Sequence, residues 1–444
     1  MKILQVSTAD RGGGAEGSAR NLFLTYRERG HASWLAVGRK YGTDSDVYEI
    51  PRVRPAGPRG VLFGAIADVL RGREGKLPGA RRLARIADRL ANAKRWQAWR
   101  EGREEFDFPG TEQLLDLPPE RPDIVHCHNL HGWYFDLRVL PALAADVPVI
   151  LNLRDAWLLT GHCAYPCDCP RWADGCGQCP DLACYPGIRR DATAANRATK
   201  ASILGQAKFY VTAPAQWLLD AARESTLPNA AEYRLVPNGI DLDVFTPGDQ
   251  AAARQRLDLP AGPLVLFAAS AKRNVYKDPD TMVGMIHRIA MRRPDVRFVC
   301  LGRSVPPEEL SDAQVIPAPF QSDPAAVADY YRAADVFVHT ARAEAFGKTT
   351  TESMACGTPV VATAVGGLCD QIFPGETGFL APPGDAGAHA QAVLRLLGDD
   401  ALRASCREGA ARRGAEFGLA RQADAFLSWY REILDTWAAG RPAL

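Results

Sequence analysis

The sequence predicts an α/β protein made of two doubly wound domains. Short apolar segments alternate with amphipathic helical stretches through most of the chain, the pattern of parallel sheets joined by helical crossovers. These segments fall into two series, on either side of Pro237-Asn238-Gly239 with Pro247-Gly248 just beyond. At 444 residues the chain is also too long for one ordinary hydrophobic core.

In the first series KILQVS, SWLAVG, DIVHCH, VPVILNL, KFYVTA and YRLVPN read as strands. In the second, LVLFAAS, VRFVCLG, AQVIPAP, DVFVHTA and PVVATAV play the same part. The predicted domains are 1–236 and 237–415, followed by a helical segment over 416–444. That segment places Leu419, Ala423, Phe426, Tyr430, Ile433 and Trp437 three or four residues apart. Such an apolar stripe needs a surface to cover, and is expected to pack back on the N-terminal domain. Ligands of doubly wound sheets bind beyond the carboxyl ends of the strands, where strand order reverses. With two such domains facing each other, that place is the cleft between them.

Composition narrows the function classes. Apolar residues make up 47% and charged residues 24%, as in soluble globular proteins. A net charge of +1 gives no whole-protein field for nucleic acid. The opening MKILQVSTADRGGG is a strand running into a glycine loop and lacks the apolar core of a signal peptide. No apolar run approaches the roughly 18 residues of a membrane span. Eleven cysteines, an odd number, fit a reducing compartment, so a cytoplasmic location is expected. One region breaks the rhythm: from Arg52 to Arg103 fourteen Lys or Arg face four Asp or Glu. Here Leu83, Ile86, Leu90, Trp96 and Trp99 could form the apolar side of a basic helix. The insertion, about 52–104, then either lies on an anionic membrane surface or packs on the N-terminal domain with solvated arginines.

The richest chemistry lies in EAFGKTTTE, Glu344 to Glu352. Thr349 and Glu352 have capping-box spacing, the bland reading of Glu352. Against it, Glu344 follows the strand DVFVHTA, Gly347 permits close backbone approach, and exposed amides at a helix start favour phosphate. Lys348 adds a cation. A nucleotide diphosphate suits this set, the amides holding phosphate while the carboxylates accept from sugar hydroxyls. A second glycine loop, Gly12-Gly13-Gly14-Ala15-Glu16, follows the first strand, either as a tight turn or as a phosphate or acceptor contact. Lys272, Arg273 and Lys277 follow another strand and could clamp a leaving pyrophosphate or simply be solvated. In DIVHCHNLH, His126 and His128 share one strand face; His126 reads as structural, and His128 as the functional candidate nearer the crevice.

Six cysteines fall within the loop 162–184. Cys176-Gly-Gln-Cys179 has the step that lets two thiolates share a metal. With Cys163 and Cys169 it could complete a structural zinc site that orders the loop, His162 or Cys167 substituting for one ligand. Free thiols, a disulfide and an iron–sulfur cluster are the other readings.

These pieces join in a resemblance. EAFGKTTTESMACGTPVVATAVGG, with GETGFLAPPGD after it, resembles the E-x7-E region of the retaining glycosyltransferases of family GT4. RLVPNGIDLDVFTP is similar to that family's interdomain signature, and GGGAEGSARNL and DIVHCHNLH match in type and order. The Cys-rich segment NLRDAWLLTGHCAYP…CDCPRWADGCGQCP resembles a bacterial subgroup of colanic-acid-type and other exopolysaccharide enzymes. The resemblance implies the GT-B fold, two Rossmann-like domains with an N-terminal acceptor domain and a C-terminal nucleotide-sugar domain. It implies that Glu352 holds the ribose and Glu344 the donor sugar. Arg273 and Lys277 would stabilise the leaving diphosphate, helped by backbone from Phe346 to Thr349. His128 would contact the transferred sugar, and Gly13 and Gly14 would approach the diphosphate. Transfer with retention would need no catalytic divalent cation. The subgroup's His-Asp before Trp is here Arg154-Asp155, at the expected acceptor site. The arginine-to-lysine spacing of five is four from Arg273 to Lys277, so Lys272 is an alternative for the arginine.

The expected partners are a nucleotide-diphosphate sugar and an acceptor that is a glycan, a lipid-linked oligosaccharide or a small molecule, with peripheral contact at the inner face of the membrane. An epimerase of the same fold, a secondary-metabolite glycosyltransferase and a non-catalytic nucleotide-sugar-binding subunit are the alternatives. The long Cys loop and the basic insertion speak for a second substrate, and so against an epimerase.

Overall fold

The computed structural model describes residues 1–53, 57–74, 76–269, 275–302, 310 and 314–439. The chain divides into two compact units. Unit 1 contains Met1–Ala213, Leu218–Leu235 and the chain from Leu427 onward; unit 2 contains Pro214–Trp217 and Val236–Phe426. The segment Pro214–Trp217, read from sequence as part of the N-terminal domain, thus belongs with unit 2. The reason is local: the Gln216 amide donates to Asp370 (2.9 Å) and the Trp217 indole to the Ala345 carbonyl (3.0 Å).

Unit 1 carries a parallel sheet of seven strands: β1 (Lys2–Ala9), β2 (Ala32–Arg39), β3 (Val47–Glu49), β4 (Ile124–Cys127), β5 (Val149–Asn152), β6 (Tyr210–Ala213) and β7 (Glu232–Leu235). Their order is β3-β2-β1-β4-β5-β6-β7, so strand order reverses between β1 and β4. The helix α1 (Gly14–Glu28) packs Ala19 and Phe23 on Leu35, Val37 and Val47. Unit 2 carries six parallel strands: β8 (Leu264–Ala269), β9 (Arg297–Gly302), β10 (Val315–Ala318), β11 (Val336–His339), β12 (Val360–Thr363) and β13 (Gly378–Ala381). Their order is β10-β9-β8-β11-β12-β13, with the reversal between β8 and β11. Alternation within strands fills both faces. Leu264, Leu266 and Phe337 join one core, while Val265, Phe267, Val336 and Val338 join the other. A parallel sheet buried on both sides needs continuous apolar strands, which is why they were so legible.

The helix Leu419–Ala439 begins in unit 2 and ends in unit 1. Its stripe is buried at Ala423, Phe426, Tyr430 and Ile433. Within unit 1 the Tyr430 hydroxyl lies 2.5 Å from His126 Nδ1 and 3.2 Å from the Tyr26 hydroxyl. Trp429 donates to Glu232 at 2.8 Å.

The insertion is not one basic helix. It forms α2 (Pro58–Gly72), α3 (Ala80–Ala91) and α4 (Ala93–Glu101), and Asn92 ends α3 and caps α4 by accepting from Lys94 (2.9 Å) and Arg95 (3.2 Å). α2 and α3 bury only small residues, Gly60, Gly64 and Ala67 on one and Ala80, Ala84, Ala87 and Ala91 on the other. Larger apolar side chains of α2, Val61, Leu62, Ile66 and Val69, are exposed.

In unit 2 the helix Lys348–Ala355 rests on Gly414, where a Cβ would fall 2.2 Å from the Ala355 nitrogen. Gly414→Ala is therefore expected to destabilise unit 2 by about 1–3 kcal/mol, as overpacking does. Gly398→Ala, at a position open to solvent, is the control. Urea unfolding midpoints read both.

Candidate active site

In unit 2 the site grows from the carboxyl ends of β8 and β11. The turn Val275–Lys277 follows β8, and Thr340 ties it down by donating to the Lys277 carbonyl at 3.1 Å. Lys277 then reaches Glu344, Nζ to Oε2, at 2.7 Å. His339, the last residue of β11, places Nε2 3.2 Å from the same oxygen. Burial works against the Glu344 carboxylate, yet Lys277 and His339 hold it well below the usual carboxylate range. Burial and Lys277 lower His339, so its imidazole is neutral and donates. Both bonds use Oε2, leaving Oε1 without a protein partner among the described residues.

Glu344 leads into Gly347, whose φ of +95° and a Cβ position 2.5 Å from Leu368 admit only glycine. Two tethers fix the loop: the Trp217 indole on the Ala345 carbonyl, and the Gln371 amide on the Phe346 carbonyl at 2.5 Å. Gly347 is itself the N-cap of Lys348–Ala355 and supplies no side-chain oxygen. The first amides, at Lys348 and Thr349, are therefore left for another partner. This overturns the capping-box reading, because Thr349 lies inside the helix. Glu352 is buried one turn further on, 3.3 Å from the Tyr331 hydroxyl and 3.5 Å from Lys348 Nζ. Burial raises its pKa above the usual carboxylate value, only partly offset by Lys348. Lys272 and Arg273 lie outside the described residues.

In unit 1, β1 ends in the glycine loop. Gly13 is the N-cap of α1, Gly14 its first residue, and neither amide has a side-chain cap. A Cβ on Gly14 would meet nothing within 4 Å, so no crowding demands glycine there. His126 and His128 stack at 4.3 Å, on one face as expected. His126 accepts from Asn152 at 3.0 Å. His128 is 2% exposed and turned inward, its Nε2 2.8 Å from Gln5 Oε1 and its Nδ1 2.9 Å from Arg154. Arginine can only donate, so Nδ1 accepts and Nε2 carries the proton. Burial and the neighbouring His126 and Arg154 hold His128 neutral. Burial also pushes Arg154 down to about 10. Asp155, on the same loop after β5, turns instead to His131 (2.8 Å) and accepts from the Trp157 amide (2.9 Å). Sequence reasoning passed over the His131–Asp155 pair and His339. The usable signal was adjacency, since β4 pairs with β5 and both pair members follow these strands.

A cavity of about 460 Å³ opens in unit 1 beside the glycine loop. It is walled by Gly12, Gly13 and Glu16, by Trp133 and Tyr134 after β4, and by α2, α3 and the start of α4.

The cysteine loop does not gather the expected ligands. Among the described residues no three His, Cys, Asp or Glu side chains are placed to hold a metal ion, so Cys163, Cys169, Cys176 and Cys179 do not form a four-thiolate set. Cys163 is hydrogen-bonded to Cys184, Cys176 accepts from the Gly161 amide (3.2 Å), and Cys179 lies 3.4 Å from His162 Nε2. None of the eleven cysteines is in a disulfide.

The family model described as glycosyl transferases group 1 matches residues 262–399, which span all six strands of the unit 2 sheet. The D-inositol 3-phosphate glycosyltransferase 1 of Catenulispora acidiphila is 33% identical over 352 residues, covering 75% of this chain and 77% of that protein. The chain is a group 1 glycosyltransferase. A D-inositol 3-phosphate glycosyltransferase of Acidothermus cellulolyticus is 36% identical over 220 residues, 45% of this chain and 48% of that one. Among solved structures, sucrose-phosphate synthase from Thermosynechococcus elongatus covers 98% of the glycosyltransferase chain and 99% of its own, with a TM-score of 0.63 at 21% identity. Anabaena HepE in complex with UDP covers 97% and 100%, with a TM-score of 0.62 at 16% identity. At these identities the structural likeness speaks for the fold, and the fold is GT-B. Among the described residues no helix of this glycosyltransferase is long and apolar enough to cross a membrane.

Burial opposes charge on His131, but Asp155 outweighs it and raises its pKa above the usual value. The pair's contribution to stability is then complete below about pH 6.5 and fades as pH rises through the folded value. NMR titration is expected to find His131 above the ordinary histidine value in the parent and lower in Asp155→Asn. The stability gap between the two proteins should narrow with rising pH.

Proposed function

We propose that this glycosyltransferase moves a hexose from a nucleotide-diphosphate sugar to an acceptor hydroxyl with retention, in polysaccharide or glycolipid synthesis. The observation that carries the reading is the half-buried Glu344, held charged by Lys277 and His339, beside a helix start with no side-chain cap. Amides at Lys348 and Thr349 take the diphosphate, Glu344 Oε1 accepts from a sugar hydroxyl and Glu352 from the ribose. As the sugar C1–O bond breaks and C1 bonds to the acceptor oxygen, Lys277, with Lys272 or Arg273, receives the charge that grows on the diphosphate. The hydroxyl proton leaves with that diphosphate. The cations give this role a carrier without a catalytic metal. HepE has been crystallised with UDP-glucose, which supports a uridine nucleotide as the first donor to try.

The acceptor side is unit 1, where the cavity adjoins Gly12 and Gly13 and where Arg154 and Asp155 position His128 and His131. His128 acts there as a positioning residue, since both its nitrogens are engaged. A lipid-linked oligosaccharide is supported by the exposed apolar side of α2 with Arg59, Arg73 and Lys76 nearby, a combination suited to the periphery of an anionic membrane. A soluble phosphorylated polyol is the second reading, favoured by the names of the inositol 3-phosphate relatives.

Purified protein incubated with UDP-glucose and other nucleotide sugars should release nucleotide only when an acceptor is present. Isomerised donor would instead support an epimerase, and donor binding without turnover a non-catalytic subunit. Glu352→Ala is expected to weaken donor binding by about 1.5–3 kcal/mol in calorimetry, the range for a hydrogen bond to a charged group. Lys277→Ala should mainly lower kcat, by about 100-fold, with a smaller change in KM. Parent-like kinetics in both variants would refute the site.

A further inference from the structure

The cavity of unit 1 has an unbalanced wall. Seven arginines and four acids line it. Three of the acids are already engaged, Glu74 by Arg39, and Asp68 and Asp88 by Arg71. The remaining acid, Glu16, sits in the first turn of α1. Arg81, Arg85 and Arg95 have no carboxylate within ion-pair distance among the described residues. They are not loose surface charges alone. Arg85 stacks on Trp133 at 4.7 Å, and Arg95 lies over Phe108 at 4.2 Å while donating twice to the Asp107 carbonyl, at 2.8 and 2.5 Å. Trp133 itself is held at a φ of +65° by the loop after β4.

Arg81 is exposed, but Arg85 and Arg95 are half-buried; half-buried guanidinium groups lose water, and a carboxylate usually makes good that loss. Here no carboxylate pairs directly with either, and nearby Asp88, Glu105 and Asp107 offset the burial of Arg95 only in part. Burial and the neighbouring arginines Arg81 and Arg89 lower the pKa of Arg85, and burial lowers that of Arg95. The solvated-arginine reading suits Arg59, Arg73 and Arg82, which are exposed and lie outside the lining. It does not suit cations fixed on aromatic faces inside a concave wall. About 460 Å³ is the size of a small-ligand site, and planar guanidinium forks match phosphate oxygens in pairs.

We propose that this cavity receives a phosphate or diphosphate group borne by the acceptor, gripped by Arg81, Arg85 and Arg95 of the helical insertion. The inference rests on the reading of unit 1 as the acceptor side. It deepens that reading by giving the acceptor an anionic handle and the insertion a recognition role. The handle could sit on a soluble phosphorylated sugar or polyol, or on a lipid diphosphate.

Arginine labelling with phenylglyoxal, read peptide by peptide in the full chain, tests it. One arm uses myo-inositol 3-phosphate against uncharged myo-inositol, and the other a polyprenyl-diphosphate monosaccharide in detergent against the free prenol. At least one phosphorylated probe should protect Arg81, Arg85 and Arg95 at tenfold lower concentration than its uncharged match, and the tighter arm names the source. Arg85→Ala should weaken that protection of the other two arginines at least tenfold, with an unchanged melting temperature showing that it folds. Arg82→Ala, on the same helix but outside the cavity, should match the parent. The proposal is overturned if neither phosphorylated probe protects, if Arg82→Ala weakens protection as much as Arg85→Ala, or if only the nucleotide-sugar donor protects. Protection without sugar transfer from any donor would instead retire the enzymatic reading and leave the anion site standing.

Discussion

A half-buried carboxylate in unit 2 sets the terms for much of that unit. Glu344 can stay ionised largely away from water only because an ammonium and an imidazole N–H converge on one of its oxygens. Removing either partner from such a group leaves an uncompensated charge, and that is the costly event. The constraint fixes where the chain after β8 must turn, so that Lys277 arrives, and why β11 must end in a histidine that stays neutral. It also leaves the second oxygen free for an outside donor. Stability and ligand chemistry are thus two uses of one atom pair.

Unit 1 buries a cation instead. Arg154 donates to the His128 imidazole, and the two histidines stay uncharged through burial. The network continues through Asn152 and Tyr430 to the C-terminal helix. The arginine that stands where the resembled subgroup has histidine therefore bears on the interior of unit 1. Asp155 points the other way, toward His131, so adjacent residues serve different neighbourhoods.

Strands were legible wherever burial on both faces imposed an unbroken apolar run, and all eleven segments read as strands contain one. The two missed, Val47–Glu49 and Gly378–Ala381, lie at sheet edges, but so do β7 and β10, which were legible, so edge position alone does not hide a strand. The insertion misled because periodicity continues across Asn92, although asparagine is a common cap and offered the break. Individual site residues could be named because glycine loops and acids at strand ends are local signals. Their pairings could not: Lys277 and Glu344 meet through the order of β8 and β11, a fact of sheet topology rather than of spacing. Thr349 failed as a cap for a related reason, since the left-handed turn at Gly347 starts the helix two residues earlier.

The seam between α2 and α3 has a further meaning. The buried residues of both helices are glycines and alanines, and Arg71 of α2 pairs with Asp88 of α3, so the hairpin asks little of its outward side chains. Substitutions facing outward leave that seam intact. Selection could therefore retune what the chain glycosylates, by rewriting a peripheral hairpin, without touching the machinery in the other half that handles the sugar nucleotide.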